Sequence, residues 1–237
     1  MIRPLLDLLL PSACVGCSRP AGPLCEPCRS HLLRPRPHRP DPCPPGLPRL
    51  ATSADYAGPV RGALVAYKER GRRELARVLG EALAVAVDEL LRTAGGCPPP
   101  LVLVPVPSWR GTARRRGGQH VDRLARRAAE RLRGCGLAVT VVPALSCVGG
   151  PEDSAELTAL ERAGAAPGRF TALPRRVGEV LALTRAGARV VLVDDVVTTG
   201  STLVDAARAL AAGGLRASGA ATVAATQRRH AMRPSLY

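Results

Sequence analysis

The run Val190 to Thr202, VVLVDDVVTTGST, constrains this chain more than any other stretch. Val190 to Val193 are apolar without alternation, which predicts a parallel strand buried on both faces. Asp194 and Asp195 fall at its carboxyl end, where open α/β sheets place their ligands. Thr198, Thr199, Gly200, Ser201 and Thr202 follow, offering hydroxyls and backbone N–H groups that can wrap a phosphate, with Gly200 letting the backbone come close. Leu203 to Ala212 then predicts a helix closed by Gly213 and Gly214, so the loop lies at a positive helix N-terminus. A helix cap alone would account for the Ser and Thr residues, but not for two carboxylates placed just before them. A Walker loop needs a Lys after its Gly-rich turn and a dinucleotide fold needs several glycines, and this run has neither. A sugar phosphate is the ligand that fits the order strand, carboxylates, phosphate cradle.

A chain of 237 residues with 46% hydrophobic residues can bury a substantial core as one domain with an appendage, or as two small domains. Its formal net charge of +15 implies attraction to polyanions, nucleic acids and phosphorylated metabolites alike. Nearly all of that charge is arginine, and Lys68 is the sole lysine. The apolar stretch Leu5 to Leu10 is interrupted by Asp7 and stopped by Pro11, so it is too short for a membrane span or a signal sequence. It reads instead as a short amphipathic helix packed on the body of a cytoplasmic protein.

Cys14, Cys17, Cys25 and Cys28 form C-x2-C-x7-C-x2-C. Each C-x2-C turn puts two thiolates on one side of a knuckle, and two knuckles supply the four sulfurs that tetrahedral Zn2+ takes in a closed, structural site. The segment around them is too poor in apolar residues to hold itself together, so metal binding would supply its folding energy. A pair of disulfides and an iron–sulfur cluster use the same residues; the first is disfavoured in a reducing compartment, and the second shares the ligand type. Arg34 to Pro48 holds seven prolines, which predicts a stiff extended spacer free of helix and sheet. The chain therefore divides into residues 1–48, a cysteine-rich zinc-binding module with its spacer, and residues 49–237.

Beyond the spacer, Glu74 to Arg92 and His120 to Arg133 carry apolar residues at helical spacing. Leu101 to Pro107, Leu137 to Pro143 and Ser218 to Thr226 read as strands. Strands alternating with helices predict an α/β fold with a parallel, doubly wound sheet. The connection from Ser146 to Arg169 exceeds ordinary loop length and suggests a functional flap.

Taken together, these motifs resemble the ComF family of type I phosphoribosyltransferase-like proteins. The matching features are the paired C-x2-C module, Tyr56 with GPVR, AYKERG around Lys68, LVLVPVP from Leu101, RRRGG at Arg114 to Gly118, Leu157 with Glu161 and Arg162, Phe170, and the run at Val190 to Thr202. Two positions depart from the family pattern: Gly118, Gln119 and His120 stand where many members have an aromatic, Asn and Gln, and Ala165 where many have Asn.

The resemblance implies a type I phosphoribosyltransferase-like sheet that binds phosphoribosyl diphosphate (PRPP) with Mg2+. Asp194 and Asp195 would bind the ribose hydroxyls, one of them taking a proton from an acceptor, and Thr198, Thr199, Gly200, Ser201 and Thr202 would hold the 5-phosphate. Val104, Pro105 and Val106 would belong to the turn that grips the diphosphate, with Lys68 approaching the same end. Arg114 to Arg116, Arg116 in particular, would neutralise the leaving group or else form a solvated basic patch, and Arg162 would close from the flap or cap a helix. The family also implies single-stranded DNA and the competence machinery of DNA uptake as partners. Three activities stay open on these residues: phosphoribosyl transfer to an unknown acceptor, PRPP sensing without transfer, and single-stranded DNA binding.

Overall fold

The computed structural model of the protein describes residues 13–93, 98–107, 120–148 and 168–227. The N-terminal apolar stretch, Arg114 to Arg116, Arg162 and residues 149–167 of the expected flap lie outside them. In chain order the strands are β1 (Arg36–His38), β2 (Leu50–Asp55), β3 (Leu101–Pro105), β4 (Val139–Val141), β5 (Leu145–Cys147), β6 (Phe170–Ala172), β7 (Arg189–Val197) and β8 (Ala217–Ala225). The helices are α1 (Glu26–Ser30), α2 (Gly58–Glu69), α3 (Ala76–Arg92), α4 (His120–Arg133), α5 (Pro174–Arg185) and α6 (Ser201–Ala212).

One sheet runs β1-β2-β8-β7-β3-β4, parallel throughout except for β1, while β5 and β6 pair antiparallel beside it. The strands read as continuous apolar runs because both faces are covered. Val191, Val193, Leu101, Leu103, Ala221 and Val223 share a core with α2, α3 and α4. Their neighbours Val190, Leu192, Val102, Val104 and Ala220 share another with α5 and α6. This is the mixed α/β, mainly parallel, two-sided sheet that the alternating pattern predicts.

Two local expectations are corrected, and two further placements are new. β7 does not stop at Val193: its pairing with β8 continues from Asp194 opposite Thr222 to Val197 opposite Ala225, so both aspartates sit on the strand itself. The proline-rich segment is not free of sheet, because Arg36 to His38 pairs with Leu50 to Thr52; an edge strand has one side outside the ladder and so tolerates Pro37. Lys68 lies in the last turn of α2. β2 was unpredicted because LATSAD reads as polar, yet Thr52 and Ser53 are fully buried. Among the described residues no helix is long and apolar enough to cross a membrane.

Candidate functional site

The site is assembled at the carboxyl end of β7 by the period of the strand. Successive side chains point to opposite faces, so Asp195 keeps the side of Val191 and Val193, toward α2 and α4, while Asp194 keeps that of Val190 and Leu192. Lys68 from α2 places its Nζ 2.5 Å from Asp195 Oδ2. His120, the first residue of α4, places its Nε2 2.9 Å from the same oxygen. The Asp195 side chain is only 5% exposed, so its charge is balanced inside the protein. Burial alone would raise its pKa, but the His120 hydrogen bond and the Lys68 charge outweigh burial and hold it below the usual carboxylate range.

Asp194 has the opposite character. It is partly buried, and its Oδ1 accepts the backbone N–H of Asp195 at 2.8 Å. Burial, and then the charge of Asp195 beside it, push its pKa up to about 8. Adjacent carboxylates with divided proton affinities suit a site that both anchors hydroxyls and moves a proton.

The loop after β7 turns at Gly200, whose φ of 82° is left-handed, and Gly200 serves as the N-cap of α6. Thr198 and Thr199 are exposed, Ser201 and Thr202 partly so. Thr199 Oγ1 donates to Ser201 Oγ at 3.1 Å and accepts the Ser201 N–H at 3.4 Å, which draws hydroxyls and helix N-terminus together. Leu47 and Pro40 of the proline-rich segment close over Gly200 from outside. Arg169 reaches Thr202 Oγ1 at 3.1 Å and Asp205 at 3.5 Å, adding a cation to the loop that the sequence reading missed.

Val104, Pro105 and Val106 end β3 next to β7, with Pro105 opposite Val193 and the Val106 N–H donated to the Val193 carbonyl at 2.9 Å. Their side chains are buried and serve the core. The structure thus brings Lys68 directly to the aspartate pair, places the 198–202 loop at the end of the same strand and puts the end of β3 beside it; Arg116 lies outside the described residues. His120 was noticed in the sequence only as a departure from a family pattern. A lone histidine opening an amphipathic helix just after a basic, Gly-rich run is the signal that could have found it.

At the front of the chain the sulfurs of Cys14, Cys17, Cys25 and Cys28 all lie within 4.8 Å of one another. Tetrahedral zinc with bonds of about 2.3 Å separates its sulfurs by roughly 3.8 Å, so the four fit such an ion with little adjustment. Cys14 Sγ accepts the N–H groups of Gly16 at 3.4 Å and Cys25 at 3.3 Å. Burial raises the Cys14 thiol, but these backbone donors prevail and lower it to about 6, whereas burial pushes the Cys28 thiol well up. A thiolate stabilised at Cys14 beside a buried Cys28 thiol that resists ionisation is an arrangement that a bound cation would relieve. Cys43, Cys135 and Cys147 are not part of it.

Residues 123–235 match the phosphoribosyl transferase domain family. Over 216 residues, covering 90% of this chain and 81% of the relative, the chain is 33% identical to the DNA utilization protein YhgH of Salmonella typhi. The match to the relative takes in far more than the transferase domain alone: the chain belongs to the ComF-like phosphoribosyltransferase family.

Proposed function

We propose that the protein binds PRPP at the carboxyl end of β7. The observation that carries this reading is the succession of two carboxylates on β7 and, just beyond that strand, a left-handed glycine that caps a helix with four hydroxyl residues around it. Asp194 and Asp195 receive the ribose hydroxyls, and Thr198 to Thr202 take the 5-phosphate on the α6 N-terminus. Lys68, with one of its three N–H donors engaged by Asp195, has the others for the diphosphate, together with Arg116 and the turn after Val106. A hard divalent cation suits the same oxygen-rich site; Mg2+ carried in with PRPP would neutralise charge on the diphosphate.

In transfer, the C1–oxygen bond to diphosphate breaks as an acceptor nucleophile bonds to C1, and the acceptor proton passes to Asp194 in its ionised form, whose share grows as pH rises toward 8. Positioning and electrostatics carry most of such a step. A sensor that binds PRPP without transfer needs the same contacts. Incubation with PRPP, Mg2+ and a panel of bases, amines and single-stranded DNA, followed by mass spectrometry, separates them. Diphosphate release tied to one acceptor establishes an enzyme, binding without turnover establishes a sensor, and no binding ends the reading.

The four cysteines hold one structural zinc, and the reduced cluster suits a cytoplasmic protein. The division at residue 48 is proposed as one of role, metal module before and ligand domain after. A net charge of +15 and the DNA utilization relative favour a second role in handling single-stranded DNA alongside the competence machinery. Such binding would draw its energy from released counterions, fall steeply with salt, and survive Asp194→Asn. Salt-independent binding, or displacement of DNA by PRPP at its own Kd, would show instead that the two ligands share one site.

A further inference from the structure

The phosphate loop offers donors but no charge of its own, since Thr198, Thr199, Gly200, Ser201 and Thr202 are all neutral. The cation beside it comes from another element. Arg169, the residue before β6, donates from Nη1 to Thr202 Oγ1 at 3.1 Å, and its Nε lies 3.5 Å from Asp205 Oδ2 one turn further along α6. We propose that Arg169 binds the 5-phosphate together with the loop, so that the site selects a sugar carrying a doubly charged phosphate. The inference rests on the PRPP reading above and adds to it the residue that supplies charge at that end of the ligand.

The backbone holds Arg169 where such a contact needs it. Its carbonyl accepts the Val148 N–H at 3.0 Å, and Phe170 beside it pairs with Cys147 and is buried in the core that Leu203 and Ala206 of α6 share. Asp205 does not cancel the charge. Arg208 lies 3.3 Å from its other carboxylate oxygen, so two guanidinium groups face one carboxylate and the trio keeps one net positive charge beside the first turn of α6. The Arg169 side chain is 56% exposed, which leaves its remaining N–H groups open to a ligand. The contact with Thr202 also sets the polarity of the loop. A hydroxyl that accepts from a guanidinium keeps its own O–H to donate, and Ser201 Oγ, which accepts from Thr199, is left in the same state. Two O–H donors, the N–H groups of a helix N-terminus and a guanidinium form a set that suits a phosphate dianion.

The test is calorimetry on wild type, Arg169→Gln and Arg169→Lys with PRPP and Mg2+, with ribose 5-phosphate, and with ribose 5-sulfate, which carries one charge fewer. Arg169→Gln, which keeps an N–H donor for Thr202 and drops the charge, should lose about tenfold for both PRPP and ribose 5-phosphate. Arg169→Lys, which keeps the charge, should stay within about threefold of wild type. Wild type should prefer ribose 5-phosphate to the sulfate, and Arg169→Gln should narrow that preference. A residue that only clips β6 to α6 would change Tm and weaken phosphate and sulfate alike. An unchanged preference in Arg169→Gln, or equal losses in the Gln and Lys variants, therefore overturns the inference. Wild-type affinity for ribose 5-phosphate in Arg169→Gln overturns it too and leaves the PRPP reading standing, whereas wild type that binds neither PRPP nor ribose 5-phosphate overturns both.

Discussion

Gly62 of α2 lies against the carbonyl of Val15 in the first cysteine knuckle, so closely that a Cβ at position 62 would stand 2.6 Å from that oxygen. The metal module is therefore packed onto the helix whose last turn carries Lys68 to Asp195. Backbone cannot yield as a flexible side chain does, so Gly62→Ala should cost about 1–3 kcal/mol through overpacking. The measurement is thermal unfolding with and without zinc. A variant as stable as wild type in the zinc-loaded state would mean that the knuckle does not sit on α2.

Purified protein should contain about one zinc per chain, as a closed four-thiolate site requires. Cys28→Ser should lower both zinc content and Tm, and chelation should reproduce the loss in wild type. Zinc should also be released on acidification, because its ligands must be deprotonated. Metal analysis showing no zinc in protein prepared without chelator, or a Cys14–Cys17 disulfide by mass spectrometry, would contradict this.

Gly200 combines a φ of 82° with a space in which a Cβ would lie 3.0 Å from Leu47 Cδ1. Gly200→Ala should cost about 1–2 kcal/mol for the left-handed backbone, plus the contact with Leu47, and should weaken PRPP in calorimetry. Adding Leu47→Ala should relieve the contact while leaving the backbone cost. Complete rescue by the second change would show that the dihedral carries no penalty.

Asp194 holds its proton up to about pH 8 in the folded protein against an ordinary value of 3.8. Between these limits the native state binds a proton that the unfolded chain has released, so stability from this group is present below pH 4 and is lost as pH rises toward 8. Asp194→Asn should therefore raise Tm at neutral pH and flatten its decline between pH 4 and 8. Parallel Tm profiles for wild type and variant would rule the shift out.

A fragment beginning at residue 49 should fold poorly. It would lose β1 from the β2 edge, the bond from the Arg34 N–H to the Ser53 carbonyl, the bond from Ser53 Oγ to the Leu32 carbonyl, and Leu32 from the core. Bare strand edges recruit other chains. Size-exclusion chromatography of residues 49–237 beside the full chain should show association or loss of recovery, and a well-behaved, equally stable monomer would contradict the expectation.

What could be read along the chain was whatever rests on neighbours in sequence. Helical spacing placed α4 at its observed bounds and α3 within a turn of its start, the unbroken apolar run foretold a strand covered on both faces, and two C-x2-C turns foretold the sulfur cluster. Local signals failed where pairing overrides composition. β2 hides small polar residues inside the sheet, β1 forms because β2 offers a free edge, and β7 outlasts its apolar run because β8 continues alongside it. The division between Asp194 and Asp195 was beyond any local reading, because the residues that make it, Lys68 and His120, are far away along the chain, His120 by 75 positions. They meet Asp195 only when α2 and α4 pack on one face of the sheet, and their contacts keep that carboxylate charged while burial and the charge beside it make Asp194 hold its proton.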